Sequence, residues 1–152
     1  MSIRNTPPEY NKYENSKRLR EGLENHILFV ADKVACKVGR INSLQKLEEL
    51  LAYNEAVRFP ASIEFDKGKL HEGEPVRVDR VSPEGEEKYI ITLHPCFKGR
   101  EEDIIALVLY SIVKINYGKI AKEEEAQLFA STVLGIDRDE YGRHYERLTK
   151  EV

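Results

Sequence analysis

Ile104-Ile105-Ala106-Leu107-Val108-Leu109-Tyr110-Ser111-Ile112-Val113-Lys114-Ile115 decides how this chain is read, because it is helix-like and apolar nearly all round. A helix without a wet face has to be buried on most sides, which makes this segment the expected centre of the core. Tyr110, Ser111 and Lys114 are its only polar residues, and such side chains are costly there unless paired or opened onto a groove. Just upstream, Arg100-Glu101-Glu102-Asp103 places acids in the first helical turn, where the helix dipole favours them. Downstream the helix runs to about Tyr117 and Gly118 stops it.

Outward from that helix, the periodicity divides the chain into three parts. Leu19, Leu23, Ile27, Val30, Val34 and Val38 form one stripe on a long helix that Gly39 ends. Asn42 or Ser43 caps a second helix with Leu44, Leu47, Leu50, Leu51 and Val57 facing inward, closed by Phe59-Pro60. The middle alternates with period two over Ser62–Asp66 and Pro75–Val81, and Lys88–His94 returns as a richer strand. Lys67-Gly68 and the type I turn Ser82-Pro83-Glu84-Gly85 separate these runs, so a small antiparallel sheet of about three strands is expected. After the central helix, Glu123-Glu124-Glu125 opens another with Ala126, Phe129, Ala130, Val133 and Leu134 inward, ended by Gly135. Asp137 with Glu140 reads as a capping box, and Ile136 with Tyr141 as its hydrophobic staple. The last helix carries Tyr141, Tyr145 and Leu148 inward. Two helices, a small sheet and three helices make one α+β domain over residues 1–152.

Composition excludes several classes. The 24 basic and 27 acidic side chains leave a net charge of -3, without the basic surplus of a nucleic-acid footprint. The abundance of Lys and Glu beside two Cys and one Met is compatible with a heat-adapted source. Cys36 and Cys96 have no metal-ligand spacing and read as ordinary intracellular thiols. The first residues lack the apolar region of a signal peptide, and the 104–115 run is shorter than the roughly 20 residues a membrane span needs. A cytoplasmic protein is expected. No phosphate-binding glycine loop and no G-x-S-x-G elbow is present.

Tyr110 and Lys114 are four residues apart and share a helix face, with Ser111 beside Tyr110. Two readings follow. Either they line a groove that touches a ligand or partner, or Tyr110 packs its ring, Ser111 bonds its own helix and Lys114 snorkels outward. Strand Tyr89–His94, loop Pro95–Gly99, helix Glu101–Tyr117 and the sequence Glu123-Glu124-Glu125-Ala126-Gln127-Leu128-Phe129-Ala130 together resemble the catalytic half of zincin-like metallopeptidases, of the ImmA/IrrE type. In those proteins a strand and loop lead to a helix bearing H-E-x-x-H, followed by a helix beginning near E-x-E-A-x-x-F-A.

The resemblance implies that Glu125 falls at the third metal ligand and that Tyr110-Ser111-Ile112-Val113-Lys114 replaces H-E-x-x-H. Two histidines thus become Tyr110 and Lys114, and the general base becomes Ser111. Catalytic zinc needs three His, Asp, Glu or Cys ligands and an open position, so the implied frame has lost its metal and its peptidase chemistry. A Lys114–Glu125 ion pair is then the expected tie between the two helices.

Other candidates are His71, His94 and Cys96 as a metal site completed by a carboxylate, and His94, Lys114 or Glu125 as acid or base of an unrecognised enzyme. His26 and His144 lie in charged helices and read as surface residues. Glu21, Glu24 and His26 lack the Glu-x-x-His spacing of carboxylate-bridged di-iron sites. The leading expectation is a catalytically inactive interaction or regulatory domain. It would hold a protein or peptide at a groove around Tyr110, Ser111, Lys114 and Glu125 or at its sheet edge, and would need no cofactor. A homodimer through the tyrosine-rich 141–148 helix is a further possibility.

Overall fold

Apolar residues at helical spacing become α1 (Pro8–Lys37), whose buried side is Leu23, Ile27, Val30, Ala31 and Val34. The chain is described by a computed structural model over residues 8–81 and 85–152. The turn expected at Ser82-Pro83-Glu84-Gly85 therefore falls mostly outside the described residues. Leu19, the first residue of the expected stripe, is half exposed.

The short helix α2 (Leu44–Leu51) begins at Ser43, whose hydroxyl accepts the Lys46 N–H at 3.2 Å. This is a side-chain cap of the usual kind. The helix stops sooner than expected, and Val57 is buried from the turns that follow it. The reason is a polar bridge from α3 (Glu101–Tyr117). Asn116 donates its amide to the Ala56 carbonyl at 2.7 Å and accepts the Arg58 N–H at 2.9 Å. That bridge satisfies backbone groups the turn would otherwise bury unpaired.

Strands β1 (Ala61–Phe65), β2 (Val76–Val81) and β3 (Lys88–Leu93) form a sheet in the order β1-β3-β2. The antiparallel expectation holds for β2 with β3, but β1 joins β3 in parallel, so the sheet is mixed. After β1 the chain passes through the 3-10 turn Lys67–Lys69 and carries β2 to the far edge, leaving room for β3 between them. Register then aligns Ile63, Ile91 and Val78 in one row and Phe65, Leu93 and Val76 in the next. Ile91 and Leu93 are fully buried and form the inner face of the sheet.

α3 packs on β2 and β3, on α2, and on α4 (Glu123–Leu134) and α5 (Arg138–Lys150). Residues Ile104 to Val113 are all buried, as an apolar helix without a wet face requires. α1 lies along α4. Gly118 and Gly135 end α3 and α4 at φ of 60° and 71°, backbone that a residue with a Cβ resists. Asp137 caps α5 by accepting the Asp139 N–H at 3.0 Å. The architecture is α+β, in the order read from the sequence. No helix among the described residues is long and apolar enough to cross a membrane.

Candidate functional site

Of the four residues singled out on α3 and α4, Tyr110, Ser111 and Glu125 are buried and Lys114 is exposed. Tyr110 is 2% exposed and stacks on Tyr145 of α5, with ring centroids 4.3 Å apart and planes at 25°. Tyr141 lies beside Tyr145 and donates its hydroxyl to the Ala106 carbonyl at 2.7 Å. Burial, and then the nearby Glu123 carboxylate, push the Tyr110 phenol up to about 12. Burial also raises Tyr141 and Tyr145 well above the ordinary tyrosine value. Of the α5 tyrosines, Tyr141 is buried in the chain's own core and Tyr145 is half-buried against it.

Ser111 is fully buried and donates its hydroxyl to the Leu107 carbonyl one turn back, at 2.9 Å. Lys114 is exposed and holds its ammonium 5.1 Å from the centre of the Tyr110 ring, a cation–π contact. Glu125 is 1% exposed. Its carboxylate accepts the Lys122 N–H at 2.9 Å and pairs with the Arg20 guanidinium of α1. The expected Lys114–Glu125 tie is not formed: the cation facing Glu125 comes from a helix 105 residues away in sequence.

This donor set does not fit zinc. One carboxylate is present, and it is already neutralised by an arginine. The phenol is stacked, the serine is bonded to its own helix, and an ammonium stands where metal charge would be repelled. The second candidate set is no closer. His94 accepts the Cys96 N–H through Nδ1 at 3.1 Å, capping the 3-10 turn Pro95–Phe97, while His71 Nε2 lies 3.5 Å from Arg77. Among the described residues, no group of three or more His, Cys, Asp or Glu could hold a metal ion. His26 shares a 2.6 Å hydrogen bond with the Tyr117 hydroxyl.

The other half of α3 opens outward. A cavity of about 790 Å³ lies between its first turns, α5 and the loop at Arg40–Asn42. Its floor is apolar, formed by Ile41, Ile105, Ala106, Leu134 and Ile136. Its rim carries Arg40, Arg143, Arg147 and His144 together with Glu101, Glu102 and Glu140. A smaller cavity of about 410 Å³ shares Glu102, His144 and Arg147, which extends the opening toward Arg100 and Glu151.

Its end is fixed by a charged chain. His144 Nε2 lies 2.7 Å from Asp103 Oδ1, and Arg100 donates to Asp103 Oδ2 at 2.7 Å. Arg100 also grips Glu151 with two hydrogen bonds of 3.0 and 2.8 Å, which hold that carboxyl below its ordinary value. His144, read from the sequence as a surface residue, is therefore a wall of the groove. The available signal was Glu140, Arg143, His144 and Arg147 recurring at helical spacing, opposite the Arg100–Asp103 turn. A third opening, of about 540 Å³, runs beside the outer edge of β1, past Leu51, Phe59 and Ile63.

No protein-family description, curated protein or solved structure matches this chain.

Proposed function

We propose that this chain is a non-catalytic binding domain on a zincin-like frame, and that it holds a segment of a partner protein in the groove between α3 and α5. The observation that carries the reading is the contrast along α3. Tyr110, Ser111 and Glu125, at positions aligned with the metal site, are consumed by packing and internal pairing, whereas the groove at the other end has an apolar floor and a charged rim that is only partly engaged. Its volume lies within the roughly 300–1,000 Å³ of ligand sites. Its floor, with Ile41, Ile105 and Ala106 buried and Leu134 and Ile136 half-buried under exposed charges, suits a polypeptide segment that anchors side chains below and stays solvated above. A cytoplasmic location belongs to the same reading, supported by Cys36 and Cys96 remaining unpaired thiols.

A peptide display library selected on the purified protein tests this. Enriched sequences should bind the wild type and lose affinity for Asn42→Trp, which fills the groove mouth from an exposed position. Failure to enrich, or enriched peptides indifferent to that substitution, would remove the assignment. More than about half an equivalent of zinc or iron on the purified chain would also remove it, since tight sites fill near-stoichiometrically.

A further inference from the structure

The two edges of the sheet are built differently. β2, at one edge, carries Arg77, Asp79 and Arg80, charges of the kind that keep an edge strand from pairing. β1, at the other, reads Ala61-Ser62-Ile63-Glu64-Phe65 and has one charge, a carboxylate that Lys69 holds at 2.6 Å. Its backbone is only half used. Pro60 accepts the Tyr89 N–H at 2.9 Å, and Asp66 donates its N–H to the Leu93 carbonyl at 3.2 Å. Alternate residues of a paired strand turn both backbone groups to the same neighbour, so Ser62 and Glu64 face β3 as Pro60 and Asp66 do. Ala61, Ile63 and Phe65 turn theirs outward, and among the described residues none of those groups has a partner. The opening of about 540 Å³ beside Ala61 and Ile63 leaves this edge uncovered. Another extended strand is the occupant that satisfies such a row group by group.

β1 is complementary to itself. Two copies related by a two-fold axis present the same strand to each other, running antiparallel. An axis at Ile63 sets Ile63 against Ile63 and Ala61 against Phe65 of the other copy, so the outward groups of both strands all pair. On the inner face, the side of Ile91 and Leu93, each Phe65 then stands over the small Ala61 of the other copy. There it meets the opening lined by Leu51, Phe59 and Ile63. On the outer face each Ser62 hydroxyl lies opposite a Glu64 carboxylate, which accepts from it. An axis at Glu64 would oppose two carboxylates, and one at Ser62 would set Phe65 against Phe59 instead of the opening. Side-chain size and charge thus select both the second copy and its register.

We infer that β1 is a self-pairing edge, through which two copies of this chain join antiparallel about a two-fold axis at Ile63 and merge their sheets into one. The contact is short and belongs with interfaces under about 1,200 Å², so the dimer is weak and grows with concentration. It is separate from the groove between α3 and α5 and does not depend on what that groove binds.

The test is sedimentation equilibrium of the full chain from micromolar to millimolar concentration, over which the wild type should pass from monomer to dimer. Ser62 is exposed, so a thermal melt matching the wild type will confirm that its variants are folded. Ser62→Lys places an ammonium opposite each Glu64 and should tighten the dimer about fivefold, whereas Ser62→Glu should weaken it about as much. Amide hydrogen exchange reads the same contact without mutation. As concentration rises, the N–H groups of Ile63 and Phe65 should become protected, while those of Ser62 and Glu64, already bonded to β3, should change little. A chain that stays monomeric at millimolar concentration overturns the inference. So does a dimer that ignores the charge placed at Ser62, or one that leaves Ile63 and Phe65 exchanging as before, since its contact then lies elsewhere.

Discussion

The two halves of α3 meet their neighbours in opposite ways. Tyr110 is stacked on a second ring, Ser111 bonds a helix carbonyl and Glu125 pairs with an arginine. Around Ile105 and Ala106, α5 and the Arg40–Asn42 loop leave a gap, and the charges on its rim are only partly matched. The first arrangement contributes stability and presents little to a ligand. The second contributes little stability and leaves binding potential unspent. Chemistry-bearing residue types in a buried helix thus turn out to be structural, while ordinary surface residues of the last helix frame the opening.

The comparison breaks most readily at alkaline pH. Tyr110 and Tyr141 have folded pKa values above the unfolded value of about 10, so their contribution is complete below that pH and is lost as pH rises. Between about pH 10 and 12 the unfolded chain releases protons that the folded one retains; Tyr110 removes up to about 1.4 kcal/mol per pH unit there, and Tyr141 acts in the same direction. The melting temperature followed by circular dichroism should fall steeply from pH 10. The fall should be shallower in Tyr110→Phe, and a flat profile to pH 11.5 would show the tyrosine layer to be open.

Next in size is Tyr110→Ala, which empties a fully packed position and should cost about 3–5 kcal/mol in urea unfolding. Arg20→Met strands the buried Glu125 carboxylate and should cost about 3 kcal/mol. Adding Glu125→Gln should restore more than half of that, and no recovery would mean that the two side chains are not energetically coupled. The smallest effect belongs to the groove. Arg143→Ala and Arg147→Ala should each leave stability within about 0.5 kcal/mol of wild type, since neither has an ion-pair partner among the described residues to lose. A larger loss would place them in the framework rather than on a binding rim.

What could be read in the sequence follows how far each determinant reaches. The burial of α3, the Ser43 and Asp137 caps and the stops at Gly118 and Gly135 are local, fixed by side-chain spacing and by backbone freedom within a turn. The parallel pairing of β1 with β3 is not, because alternation states which face is apolar and says nothing about which strand lies alongside. Arg20 could not be matched to Glu125 for the same reason: many arginines were available, and only the packing of α1 on α4 selects one. The local outcome for Ser111, a bond to its own helix, was one of the two readings open from the outset. The groove was illegible because its wall comes from the loop after α1, the start of α3, the end of α4 and one side of α5, none of which carries a motif. His144 needed Asp103 beside it before it could be told from any other histidine on a charged helix.

The strand order has a consequence for how the molecule comes into being. The two outer strands are hydrogen-bonded only to the one made last, so a chain emerging from the ribosome carries a pair of ribbons with nothing to lie against until Lys88–Leu93 arrives. A nascent fragment ending at Arg80 should therefore be all helix and loose thread. Sheet formation would then be a late, long-range event, of the kind that slows assembly.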